Sequence, residues 1–169
     1  MKARPQIKKM TKYHMYKKEK EITDVDVLYD VLKKGTFATI ALSENDRPYI
    51  VTMNYGYDEG KNALYFHCAL KGLKLNILSQ NPNVCATVLE DLGYKADECS
   101  HAYKSVVFWG TLCVVRELKE KKYGMEVLFH HLEANPDPIR ERNFKTEGDY
   151  FKVNILRLDI EEITGKQGQ

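Results

Sequence analysis

The sequence contains no long apolar run. Nothing in it approaches the roughly 20 consecutive apolar residues that a membrane-spanning helix needs, and the basic first segment leads into Ile22-Thr23-Asp24 rather than into the apolar stretch of a signal peptide. This predicts a soluble, cytoplasmic protein. Cysteine is sparse: Cys68, Cys85, Cys99 and Cys113 include no closely spaced pair, which argues against a zinc ribbon or a dithiol redox motif. Also missing are a glycine-rich phosphate loop, a dinucleotide glycine fingerprint, a zinc-protease helix and a Gly-x-Ser-x-Gly elbow. Hydrolase mechanisms of those kinds therefore have no positive support.

What is present suffices for one core. In 169 residues, 43% are hydrophobic, 11% aromatic and 30% charged, a balance foreign to disordered chains, collagens and coiled-coil rods. With such a core the thiols are expected to be reduced, Cys68, Cys85 and Cys113 as inert core residues and Cys99 exposed in a polar loop. Net charge is +2 but uneven, because residues 1–20 hold eight Lys or Arg against one Glu. We read residues 1–20 as a basic N-terminal arm and 21–169 as a single domain. Such an arm can hold nucleic acid or an anionic ligand, although solvated tails are commoner than either.

Along the chain, Val25, Leu28 and Leu32 recur at helical spacing behind a cap at Thr23 or Asp24, and Gly35 marks the stop. Strands are expected at Phe37 to Leu42, Tyr49 to Tyr55, Ala63 to Cys68, Val84 to Leu89 and Ser105 to Val115. Residues 91–102 read as a long loop. A short helix runs from Leu73 to Gln80, packed through Leu73 and Ile77, and a longer one from Glu117 to Leu132, with Glu117 placed to pair with Lys121. Asn135-Pro136-Asp137-Pro138 breaks the latter. The last strand begins near Tyr150, and its apolar set shifts between Ile155 and Leu156, predicting a bulge there. Strands linked mainly by turns favour antiparallel pairing, and about six of them form a closed or nearly closed barrel with flanking helices.

The segment His67-Cys68-Ala69-Leu70-Lys71-Gly72-Leu73-Lys74 carries the most chemistry. A strand ends in an imidazole, a glycine opens a helix, and Lys71 and Lys74 lie three apart at its start. Free amides, the positive end of the helix dipole and two ammonium groups suit a phosphate. Read by spacing alone, the same residues also describe a helix with two solvated lysines. A zinc site from His67, Cys68, Cys99 and His101 is disfavoured, because adjacent strand residues leave opposite faces. His130-His131 reads as a solvated helix end.

Four blocks, Pro48 to Asp58, Leu64 to Lys74, Asn81 to Cys85, and Cys99 to Val106, together resemble the 5-nitroimidazole resistance proteins. These belong to the pyridoxamine 5'-phosphate oxidase-like, FMN-binding split-barrel superfamily, and the likeness runs from about Ile22 to Leu132. It implies a mainly β fold, a six-stranded antiparallel split β-barrel, acting as a homodimer with flavin at the subunit interface. By position, Thr52, Met53, Asn54 and Tyr55 would lie along the flavin ring, mostly through backbone groups. His67, Lys71 and Lys74 would hold the ribityl phosphate, and Ser105 and Val106 would contact the flavin or its phosphate.

Many relatives carry proline where this chain has Thr52, so Thr52 either adds a hydrogen bond near the ring or restores strand pairing. Trp109 is expected in core or dimer packing ahead of flavin stacking. The function implied is an FMN-dependent oxidoreductase, with FAD the alternative cofactor and a deazaflavin or haem also open. It would pass electrons from NAD(P)H to a small acceptor such as a nitro compound. Two rivals stand beside it: a flavin carrier or sensor without turnover, and a small barrel binding nucleic acid through the arm, the latter disfavoured.

Overall fold

A computed structural model describes residues 8–9 and 15–168. The basic arm therefore falls largely outside the described residues. Eight strands, β1 (Lys8–Lys9), β2 (Phe37–Glu44), β3 (Arg47–Asn54), β4 (Gly56–Asp58), β5 (Ala63–Cys68), β6 (Asn83–Lys95), β7 (Ser100–Val114) and β8 (Asn154–Gly168), are flanked by four helices. The helices are α1 (Val25–Lys34), α2 (Leu73–Gln80), α3 (Leu118–Leu132) and α4 (Asp137–Asn143). No described helix is long and apolar enough to cross a membrane.

Seven strands form one antiparallel sheet in the order β3-β2-β6-β7-β8-β5-β4, and β1 adds in parallel to β8. The expected six-stranded barrel is thus corrected to an open sheet: among the described residues no ladder joins the β3 edge to β4 or β5. The reason lies in Tyr55. β3 pairs with β2 up to Asn54, and Gly56 already pairs with Tyr65 of β5. One residue therefore carries the chain from one edge of the sheet to the other, which brings the edges together without leaving length for a ladder.

The interior is apolar, with Leu32, Ile40, Leu64, Phe66, Phe108 and Leu158 fully buried. In α1 the cap is Asp24, whose carboxylate accepts from the Asp26 amide at 2.9 Å. Gly35 ends that helix for a reason other than left-handed backbone, since its φ is −68°. A Cβ there would lie 2.4 Å from Val88 Cγ1 and 2.6 Å from the Tyr55 hydroxyl. In α2 the packed residues are Ile77 and Leu78, whereas Leu73 is exposed.

Three other expectations are corrected. Residues 91–102 are not a loop: β6 and β7 continue as a hairpin, with a register shift between Asp91 and Tyr94 and a pair between His101 Nε2 and the Asp91 carboxylate at 2.6 Å. The bulge in β8 is not at Ile155. Both Ile155 and Leu156 are buried because both faces of β8 are covered there, and the extra residue is Glu161, opposite Trp109 and Gly110. At that point a Cβ on Gly110 would stand 1.9 Å from the Asp159 carbonyl oxygen, so only glycine fits. Last, Lys121 does not pair with Glu117. Its side chain turns inward and donates to the carbonyls of Tyr150 (3.2 Å) and Val153 (3.1 Å).

Candidate functional site

Alternation along β3 sorts the first group of expected residues. Thr52 and Asn54 project outward, while Met53 packs against the interior and Tyr55 is fully buried there. The Tyr55 hydroxyl donates to the Leu32 carbonyl at 2.6 Å, and burial raises its pKa. Met53 and Tyr55 can therefore offer an outside ligand little but backbone. Asn54 donates to the Thr36 carbonyl at 3.2 Å, and the Thr52 hydroxyl shares a 3.0 Å hydrogen bond with that of Thr39. Thr39 and Thr52 are directly opposed in the β2–β3 ladder, so the Thr52 hydroxyl takes part in a cross-strand pair. As the edge strand, β3 also carries backbone groups that no neighbouring strand among the described residues takes up.

At the end of β5, His67 is exposed on the face opposite Cys68, which is buried. The loop that follows is tethered by Asn154, which donates to the Ala69 carbonyl at 3.3 Å. Gly72 opens α2 with φ +147°, a conformation that favours glycine. Lys71 there is exposed and Lys74 half-buried. The ammonium of Lys74 lies close enough to lower the Cys68 pKa, against the larger effect of burial, which raises it. The first amides of a helix have no intrahelical partner, so this start combines donors with two cations.

The remaining pair lies elsewhere. Val106 is fully buried, so its side chain reaches no outside ligand. Ser105 faces outward and donates to the Lys166 carbonyl at 3.4 Å. His67 is paired with Ile155 and Ser105 with Lys166, eleven residues apart on β8 and on the order of 35 Å of strand. His67 and Ser105 thus stand at opposite ends of β8, whereas Thr52 lies between them, in register with Val107 through Thr39 and Thr87.

Asn54 and His67 meet in a cleft of about 450 Å³ between β5, α3, α4 and the 3-10 turn Glu147–Phe151. Its walls are Met125, Leu128, Phe129, Leu132, Ile139, Phe144 and Val153, with Glu133, Asn143, Asp149 and Lys152 also lining it. Phe144 stands edge-on to Phe129 at 5.6 Å between ring centres and lies 4.8 Å from Tyr150. The Asp149 carboxylate accepts from Lys152 (2.7 Å), the Thr146 amide and the Thr146 hydroxyl, which hold its pKa down at about 2. Two elements of this wall are new relative to the sequence reading, and both had a signal. Pro138 in the first turn of α4 is a helix-start residue as well as a breaker, and Thr146 with Asp149 makes a capping box.

His131 is the other departure. It is half-buried: Nε2 lies 2.7 Å from the Gly35 carbonyl, Nδ1 accepts from the Tyr57 amide at 3.4 Å, and the ring packs on Tyr55 at 5.0 Å. It joins α3 to the end of α1 and to β4, while His130 is exposed. Cys85 and Cys113 are half-buried rather than core; both lie on the outward face, and burial raises both pKa values. Trp109, opposite Cys85, is half-buried on that same face.

The comparisons agree with this architecture. The family model described as pyridoxamine 5'-phosphate oxidase matches residues 24–167, and the chain belongs to that family. None of the curated proteins matches. Among solved structures, a candidate 5-nitroimidazole antibiotic resistance protein from Bacteroides thetaiotaomicron is similar, with 23% identity, TM-score 0.72, and 87% of this chain and 86% of that one covered. An FAD and haem binding protein from Mycobacterium smegmatis has 20% identity and TM-score 0.72, over 89% of this chain and 74% of that one. A flavocytochrome from Azotobacter vinelandii has 15% identity and TM-score 0.77, over 98% of this chain and 77% of that one. At these identities the likeness shows the fold.

Proposed function

We propose that this chain is a flavin-dependent oxidoreductase, with FMN the cofactor and FAD the alternative. The observation that carries the reading is the convergence of Asn54 and His67 on one cleft, with Lys71 and Lys74 four and seven residues beyond His67 at the start of α2. The donor set fits a flavin nucleotide. The β3 edge offers backbone groups to a heteroaromatic ring, His67, Lys71 and Lys74 suit a phosphate, and the α2 amides add the helix dipole. When bound, a flavin supplies two-electron chemistry, taking hydride from reduced nicotinamide and passing two electrons to a small acceptor such as a nitro compound. The residues here bind and orient the cofactor and exclude water from it; none is placed as a general acid.

The proposed active form is a homodimer. The outward face of β2, β3 and β6 carries Phe37, Ile50 and Leu89, all more than half exposed.

The deciding experiment is the visible spectrum of the purified protein, then heat release and chromatography of its chromophore. Stoichiometric FMN supports the reading and FAD selects the alternative. A colourless protein that takes up neither defeats it. His67→Ala and Lys74→Ala should each lose flavin rather than lose turnover with flavin still bound, and full occupancy in either variant would remove that residue from the site. Steady oxidation of NAD(P)H with a nitroaromatic acceptor separates an enzyme from a flavin carrier.

A further inference from the structure

We propose that the cleft between α3, α4 and β5 is the seat of the oxidoreductase's small-molecule substrate, and that it selects an uncharged compound with a flat apolar ring over an anionic or phosphorylated one. The substrate role rests on the flavin reading above; the binding preference rests on the cleft alone. At about 450 Å³ it has the size of a small-molecule site. Its apolar wall, with Phe129, Leu132, Ile139 and Phe144 prominent, offers a ring dispersion and burial on several sides. Asn54 and His67 line the side shared with the proposed flavin seat, and there a nitro or carbonyl group of the substrate would find donors.

The charges decide the class of ligand. Asp149 is held ionised by Lys152 and Thr146, and it neutralises Lys152, the cleft's one ammonium. Glu133 also lines the cleft; its amide donates to the Phe129 carbonyl at 2.8 Å, and its carboxylate makes no hydrogen bond or ion pair to another described residue. Two carboxylates against one ammonium give the cleft a negative balance, which repels a carboxylate or phosphate on the ligand. Of the groups that suit a phosphate, Lys71 and Lys74 stand instead at the start of α2, and only His67 reaches the cleft.

The test uses three probes of one shape, 4-nitrobenzyl alcohol, 4-nitrobenzoate and 4-nitrophenyl phosphate, titrated calorimetrically into the protein as purified, with flavin occupancy read from the visible spectrum of each sample. The alcohol should bind on the order of tenfold more tightly than either anion, a difference of about 1.4 kcal/mol, and Glu133→Lys should narrow that gap. Ile139→Trp, which fills the cleft from α4, should weaken the alcohol on the order of tenfold with flavin occupancy unchanged. Leu132→Trp repeats the blockade from α3 should the first variant fold poorly. Equal or tighter binding of the anions overturns the selectivity, and alcohol binding indifferent to both tryptophans overturns the location. Loss of flavin together with the alcohol makes the cleft part of the cofactor's own seat and overturns the proposal. A protein without flavin that still binds the alcohol in a tryptophan-sensitive way defeats the function proposed above, yet leaves the binding site standing.

Discussion

Strand β5 separates two apolar regions built by different means. Leu64, Phe66 and Cys68 point into the space enclosed by the curled sheet, and Ala63 and Tyr65 point to the side covered by α3. In the first region the sheet's own side chains meet one another, α1 and α2 close the ends, and the core is sealed. In the second, one helix and the segment of α4 and the 3-10 turn do the covering. That closure admits polar groups, among them the buried Lys121 and the Tyr65 hydroxyl, which donates to Glu120 at 3.0 Å. Glu120 in turn accepts from Arg157 at 2.6 Å. It also leaves a cleft. A face closed by a sheet holds shape; a face closed by a helix and a strap leaves room for a ligand, and Asn54 and His67 reach the second kind.

The sharpest way to break this comparison is to truncate one ring in each region. Phe108 is fully buried in the first, so Phe108→Ala should cost about 3–5 kcal/mol of unfolding free energy in urea titration. Phe144 is half-buried beside the cleft, and Phe144→Ala should cost about 1–2 kcal/mol, because the removed ring already had open space on one side. Equal costs would mean that the cleft is packed as tightly as the sheet interior.

Next in size is Lys121→Met. The methionine keeps most of the apolar stem but strands the carbonyls of Tyr150 and Val153, at a cost of about 1–3 kcal/mol. Burial lowers the Lys121 pKa, yet its two acceptors favour keeping the donor. Hydrogen exchange should speed up in residues 147–153 before anywhere in β6 or β7. Uniform acceleration across the chain would show that the strap is no separate unit.

How far these two regions could be read from the sequence follows from what each is made of. The first is legible because alternation is local: the bounds of β5 and α2 and the inward set Leu64, Phe66 and Cys68 follow from period and punctuation. The second depends on contacts distant in sequence. Lys121 reads as a surface partner of Glu117, since nothing nearby announces two carbonyls thirty residues on. His131 reads as solvent-exposed, since its partners at Gly35 and Tyr57 lie in other elements. The split of the expected site residues has the same origin: strand order decides that Ser105 and His67 sit at different ends of β8, and no spacing within a strand encodes strand order.

The two regions also differ in how alkali should enter. Tyr123 packs against Tyr65 and donates to the Asp58 carboxylate at 2.6 Å, and burial first, then that hydrogen bond, push its pKa up to about 12. Tyr65 is raised as well, by burial and by Glu120. A phenol raised above its unfolded value of about 10 contributes stability that is complete below pH 10 and lost as pH rises through the folded value. Unfolding free energy measured against pH should therefore fall between about pH 10 and pH 12. Tyr123→Phe should shallow that fall while costing about 0.5–1 kcal/mol at neutral pH. An unchanged alkaline limb would assign the loss to the other raised phenols, Tyr65, Tyr150 and Tyr55, instead of Tyr123.

The smallest effect belongs to the edge where the regions join. Thr52 and Thr39 share one hydroxyl bond on the outward face of β2 and β3, where water competes for both groups. Thr52→Val keeps β-branching and strand register, so it should cost about 0.5 kcal/mol, and Thr52→Ser should keep the bond. Flavin occupancy should be the same in both variants if Thr52 serves pairing alone. If valine instead releases flavin while the unfolding free energy hardly moves, the hydroxyl points at the cofactor, and the candidate site extends one residue pair further along β3 than the cleft itself.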